Sequence, residues 1–100
     1  MPVSRAMAKL GADLSRARRR RRLSRASLAE RSGVSESTVK RLELGDGRVA
    51  LESLARVIHV LGETDRLEQL LDAAHDEIGL VLMDEQLPKR IRNRRAHGAL

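Results

Sequence analysis

The side chains in this sequence that could do chemistry are mostly arginines, and the chemistry they offer is the binding of a polyanion. Positions 18–22 are five consecutive arginines, and within residues 1–25 nine basic groups face one acidic group, Asp13. Residues 26–48 carry four groups of each sign, residues 49–87 carry two basic and nine acidic groups, and residues 88–100 carry five basic groups and no acidic one. The formal net charge of +6 hides this polarity. A solvated face usually mixes signs, so basic ends around an acidic middle point to one surface for a polyanion and a different surface for a second partner. Nucleic acid fits better than a membrane. A membrane-surface helix wants Trp, Phe or many Leu opposite its basic stripe, and the sequence has no Trp, Phe or Tyr.

Catalytic and metal chemistry find little to work with. The absence of Cys removes disulfides, thiolate metal sites and cysteine nucleophiles together. His59, His75 and His97 share no ligand spacing and have no orienting carboxylate. The Gly45-Asp46-Gly47 stretch suits a helix C-cap better than a phosphate loop. No enzyme, metal or cofactor is therefore expected. No secretory pattern or long apolar span is visible, which predicts a cytoplasmic protein without a membrane partner.

Charged side chains need elements to hold them in place. One hundred residues fit a single domain, which at this length buries roughly 65% of the unfolded chain's surface. A core without aromatics must use Leu, Val, Ile, Met and Ala, which suits helices, so the class read from composition is all-α. Met7, Leu10, Leu14 and Ala17 recur at helical spacing and predict a first helix over roughly 5–21, with Ser4 as N-cap. Ser24 stands as N-cap of a short helix over 25–32, with Ala26, Leu28 and Ala29 facing inward. Gly33 supplies the turn. Ser35 caps a third helix over 36–44, with Val39 and Leu42 inward and Gly45 just past its end. Leu51, Leu54, Ala55, Ile58 and Leu61 form the stripe of a fourth helix that ends at Gly62, although Ala50 is a poor N-cap. Thr64 is expected to cap a fifth, with Asp65 suited to its dipole and Leu67, Leu70, Leu71 and Ala74 on one face. The apolar run 78–83 fits helix or strand by periodicity; a short helix ended by Pro88 is favoured. A domain over 5–74 is thus expected, followed by an extension over 75–100 whose basic tail is loosely ordered.

Residues 23–45, LSRASLAERSGVSESTVKRLELG, place a two-turn helix, a glycine turn and a second capped helix at helix-turn-helix spacing. Ala29 is small where the two helices would approach most closely. An αα-hairpin that merely packs has the same geometry, and geometry alone leaves both readings open. The order of residues resembles the Cro/C1-type (XRE) helix-turn-helix family: Leu23-Ser24, Leu28-Ala29, Gly33-Val34-Ser35, Val39, Leu42-Glu43 and Gly45 fall on its pattern. The resemblance covers roughly residues 8–72. It implies a five-helix, lambda-repressor-like domain that binds double-stranded DNA as a transcriptional regulator. One position departs: Arg25 stands where the family most often has Gln, and either side chain reaches a phosphate.

Carried over residue by residue, the resemblance implies base reading by Ser35, Glu36, Ser37, Lys40 and Arg41. Arg41 suits the O6 and N7 of guanine, Ser37 suits several bases, and Glu36 suits a cytosine amine or, equally, its own helix dipole. Lys40 suits a base or a phosphate. The phosphate contacts implied are Arg22, Ser24, Arg25, Thr38 and Arg48, helped by helix N-terminal amides. Arg18 and Glu43 correspond to a structural ion pair. About half of residues 19–22 are expected to touch DNA, the rest forming a solvated cationic face.

A single recognition helix reads few base pairs, so a homodimer on an inverted-repeat operator is expected, with half-sites about one turn (~34 Å) apart. The fifth helix and the 78–83 run are the candidate dimer surface; covering the core is the competing role. The segments Leu61-Gly-Glu-Thr-Asp-Arg-Leu-Glu-Gln-Leu70 and 79–92, GLVLMDEQLPKRIR, make the chain similar to HipB-like antitoxins encoded beside HipA-type kinase toxins. This implies an autorepressor that also binds its toxin, with a stand-alone XRE regulator as the alternative. An RNA-binding or purely protein-binding module would keep the basic surface, but the aromatics that stack single-stranded bases are missing.

Overall fold

Two serines set the starts of the middle helices. Ser24 Oγ accepts from the Ser27 amide at 3.0 Å, and Ser35 Oγ accepts from the Thr38 amide at 3.1 Å, each satisfying a donor that the first helical turn leaves unpaired. The computed structural model describes residues 1–72 and 83–91. Among them lie five α-helices and no strand: α1 (Pro2–Arg20), α2 (Arg25–Ser32), α3 (Glu36–Glu43), α4 (Leu51–Val60) and α5 (Thr64–Glu68). The all-α expectation therefore holds. Ala74, His75, His97 and positions 78–82 and 92–100 fall outside the described residues, and with them the expectations for the apolar run and the basic tail.

The first four helices stop in one way. One or two residues past each end, an amide bonds back three residues while the next amide bonds back five, the paired pattern of a Schellman cap. The pairs are Arg22 to Arg19 and Leu23 to Arg18, Gly33 to Glu30 and Val34 to Ala29, Gly45 to Leu42 and Asp46 to Arg41, and Gly62 to His59 and Glu63 to Ile58, all between 3.0 and 3.3 Å. This cap needs a left-handed residue, and φ is 57° at Arg22, 74° at Gly33, 80° at Gly45 and 78° at Gly62.

The chain divides into two compact units, Met1–Leu70 and Leu71–Leu100. In the first, Leu14, Leu28, Ala29, Val39, Leu42, Val57 and Leu61 form the buried core, with Leu10, Ala17, Leu54 and Ile58 packed around it. In the second, positions 83–85 form a short helical turn and every described side chain is exposed.

Several local expectations are corrected. The first helix begins at Pro2, not after Ser4: Pro at the first helical position has φ preset and no amide to satisfy, so the helix starts without a side-chain cap. Thr64 does not cap α5, because its hydroxyl bonds His59 Nδ1 at 3.0 Å; the N-cap is Glu63 and the helix is only five residues long. Ala26 is exposed, while Ser32 on the next turn is buried. On α4 the innermost residue is Val57, and Leu51, at the first helical position, is 73% exposed because it lies at the end of the helix rather than over the core.

Candidate nucleic-acid interface

The turn that separates α2 from α3 rests on Gly33, and Ser35 then organises the start of α3. Besides capping Thr38, its hydroxyl lies 3.1 Å from Ser37 Oγ and 2.8 Å from Thr38 Oγ1, so three hydroxyls share one network at the helix entrance. Val39 and Leu42 are buried against the core, which fixes the roll of α3 and turns Glu36, Ser37, Lys40 and Arg41 to solvent. The side chains of Lys40 and Arg41 make no hydrogen bond or ion pair among the described residues, although the charge of Arg41 helps to hold the Asp46 pKa down. The helix thus presents a neutral hydroxyl cluster and a carboxylate at its N-terminal end, then two free cations one turn on.

The C-terminal end of α3 is locked down instead. Arg18 Nε donates to Glu43 Oε2 at 2.6 Å, its Nη2 to Glu43 Oε1 at 3.2 Å, and its Nη1 to the Leu23 carbonyl at 2.8 Å. Arg25 Nε adds a bond to Glu43 Oε1 at 3.0 Å. The Glu43 side chain is 3% exposed and that of Arg18 11%, whereas that of Arg25 is 42% exposed. Burial alone would push the Glu43 pKa up, but the hydrogen bonds and charges of Arg18 and Arg25 outweigh it and hold the carboxyl below its ordinary value of 4.5. One carboxylate therefore ties α1, the start of α2 and the end of α3 together. Arg18 is wholly occupied, and Arg25 divides its surface between Glu43 and solvent.

The sequence did not reveal what lets α3 come so close. A Cβ on Gly11 would lie 2.5 Å from the Glu43 carbonyl oxygen and 2.7 Å from that of Leu42. Gly11 is thus the seat of α3 on α1, two helical turns before Arg18. An isolated glycine inside a helical pattern was the available signal. Gly45 is pressed on α1 as well, where a Cβ would meet Ala8 Cα at 2.9 Å.

The remaining basic residues divide by partner. Arg48 forks onto Asp46, Nε to Oδ1 and Nη2 to Oδ2 at 3.1 Å each, while its amide bonds Oδ1 at 2.9 Å; these bonds lower the Asp46 pKa and raise that of Arg48. Arg21 bonds the Ala17 carbonyl at 2.9 Å and lies 3.6 Å from Glu63. Arg22 is exposed, with no hydrogen bond or ion pair from its side chain among the described residues. Ser24 is spent on its cap, and Thr38 is half-buried in the hydroxyl network.

No group of three or more His, Cys, Asp or Glu among the described residues could hold a metal ion, and no helix among them is long and apolar enough to cross a membrane. A capped two-helix corner with a free cationic face on its second helix defines a helix-turn-helix DNA-binding module. The chain belongs to the helix-turn-helix domain family, whose match spans residues 9–71, and is an XRE-like DNA-binding regulator at that level. Comparison with curated proteins and with solved structures gives no match.

Proposed function

We propose that this chain is a sequence-specific repressor that binds an inverted-repeat operator as a homodimer and has no catalytic activity. The observation that carries the reading is the unpaired face of α3: Lys40 and Arg41 project from a helix whose roll is fixed by Val39 and Leu42 and whose C-terminal end is tied down by Glu43. In this arrangement Ser35, Glu36, Ser37, Lys40 and Arg41 read base edges, with Arg41 the strongest candidate for guanine. Arg22, Ser24, Arg25, Thr38 and Arg48 lie along the backbone-facing rim. Support for a homodimer comes from the first unit, where Leu70 is 73% exposed near its end.

The finer reading is an antitoxin that represses its own operon and restrains a HipA-type kinase. It rests on the likeness of residues 61–70 and 79–92 to HipB-like chains and on the excess of acidic groups in the sequence over 49–87, a charge unsuited to DNA. A stand-alone regulator is the alternative.

A fluorescence-anisotropy titration against the chain's own promoter and a scrambled duplex tests the first reading. Tighter binding to the promoter is expected, and equal affinity for both would sink specific repression. Arg41→Ala should cost about 1–3 kcal/mol on the promoter and little on the scrambled duplex. For the antitoxin reading, the product of the neighbouring gene should co-purify with the chain; a neighbour unlike a kinase, or one that stays unbound, leaves the stand-alone regulator.

A further inference from the structure

We propose that the cleft between α1, α4 and α5 is a binding site for a small amphipathic anion of the fatty-acid class, an aliphatic chain that carries one carboxylate. α1 packs chiefly on α3, whereas α4 packs on α2 and α5, and the faces that α1 and α4 turn toward each other are left apart. The gap is a cavity of about 580 Å³. Pockets for small ligands run from roughly 300 to 1,000 Å³. The floor is the core itself, formed by the buried Leu14 and Leu61, and half-buried Ala17, Ile58 and Leu67 supply a wall from each of the three helices. An aliphatic chain laid there replaces water against hydrocarbon and closes the core on its open side.

The charged residues of the cleft select the other half of the ligand. Arg16, Arg20, Arg21 and Arg66 line it against two carboxylates, Asp13 and Glu63. Asp13 answers Arg16 at 3.1 Å, so the positive excess falls toward the end of α1, where Arg21 lies 3.6 Å and Arg66 3.7 Å from Glu63. Both distances exceed a hydrogen bond, and one carboxylate does not neutralise two guanidinium groups. The Arg20 side chain adds a third positive charge there and has no hydrogen bond or ion pair among the described residues. Acids are sorted away from the site as well. Glu52, Asp65 and Glu68 also belong to α4 and α5, yet Glu63 is the only carboxylate that this part of the chain brings to the cleft. Apolar walls with a cationic end match an aliphatic body with an anionic head; a cationic amphiphile meets repulsion, and a neutral one leaves the arginines unanswered. None of the residues assigned to bases or phosphates lines this cleft, so the inference stands apart from the DNA-binding reading.

Decanoate, kept below its micelle concentration and added to the full chain, is the probe. It should shift the amide NMR signals of Ala17, Ile58 and Leu67 saturably and leave those of Lys40 and Arg41 in place. At about tenfold excess over Kd it should raise Tm by roughly 6–11 °C. Decanol, which lacks the charge, and decyltrimethylammonium, which reverses it, should each bind about tenfold more weakly or worse. Arg20→Gln should weaken decanoate by about tenfold, whereas Arg16→Gln, which removes a charge that Asp13 already answers, should leave it within about twofold. Ala17→Leu fills the cavity from α1 and should abolish binding; if that variant does not fold, Arg20→Gln and the decanol comparison decide. Absence of a saturable shift, or equal binding of decanoate and decanol, would overturn the proposal. So would shifts of the same amides that follow protein concentration without any ligand, which would assign the cleft to a second copy of the chain.

Discussion

Glu43 and Arg41 stand two residues apart on α3, yet the charges around them are arranged in opposite ways. Around Glu43 every group is answered: a buried carboxylate receives three hydrogen bonds from two arginines, one of which also holds the Leu23 carbonyl. Around Arg41 the charges are more open: Lys40 and Glu36 are exposed on the same helix with no bond between them, and Asp46 answers Arg41 through its charge alone, without a hydrogen bond. The first cluster positions α3, and the second is what α3 positions. Arginine content alone therefore says little about DNA contact; what matters is which guanidinium groups the protein has already used.

The closed cluster is where the largest effects are expected. Arg18→Ala removes the main partner of a buried carboxylate, and breaking a buried pair from one side costs about 3–5 kcal/mol. Thermal unfolding should show the loss directly, and DNA binding should fail on all duplexes because the fold is compromised. A change in Tm of only a degree or two would mean that Arg25 alone satisfies Glu43. Acid should act on the same group. The folded pKa of Glu43 lies below its ordinary value of 4.5, so its ionised form favours the folded state. That stabilisation is complete above the unfolded value and disappears as pH falls below about 4.5 through the lower folded value. Denaturant midpoints measured from pH 6 downward should therefore decline through this window. In Glu43→Gln the decline should be shallower, starting from a lower stability at neutral pH.

Gly11→Ala tests the seat beneath the closed cluster through the sign of its effect. In a free helix interior alanine is favoured over glycine by about 1 kcal/mol. Here the added methyl would meet the carbonyl oxygens of Glu43 and Leu42, so a net loss of about 1–3 kcal/mol is expected instead. A stabilised variant would show that α1 and α3 are not pressed together at this point.

Legibility in the sequence follows the range of the forces involved. Ser24, Gly33, Ser35 and Gly45 act on backbone within a few residues of themselves, and the helix ends they mark were readable for that reason. The side chains facing the core from α3 were readable too, since Val39 and Leu42 keep a helical spacing around polar neighbours. What escaped depends on contact between distant segments. Gly11 matters because of a carbonyl 32 residues later, and Arg25 bonds a carboxylate 18 residues away. On α4 seven of ten positions are apolar or small, so the stripe had no sharp edge, and packing against the rest of the core rather than periodicity made Val57 the centre. The Arg18 to Glu43 contact came from resemblance, while its extension to Arg25 belongs to this chain, where arginine replaces the usual Gln.

The smallest expected effect probes the border between closed and open charge. Arg48 is 91% exposed but forked onto Asp46, so its charge is answered even though its position suits a phosphate. Asp46→Asn keeps an oxygen to accept the Arg48 amide, as the loop requires, and removes the charge that holds the guanidinium. If Arg48 lies on the backbone-facing rim, the variant should bind promoter and scrambled duplexes a few-fold more tightly at low salt, with a salt slope steeper by up to about one. The gain should vanish in the double variant Asp46→Asn, Arg48→Ala. A gain that survives there would come from Arg41, whose charge Asp46 also answers, or from the net charge of the domain, and the rim would then be drawn without Arg48.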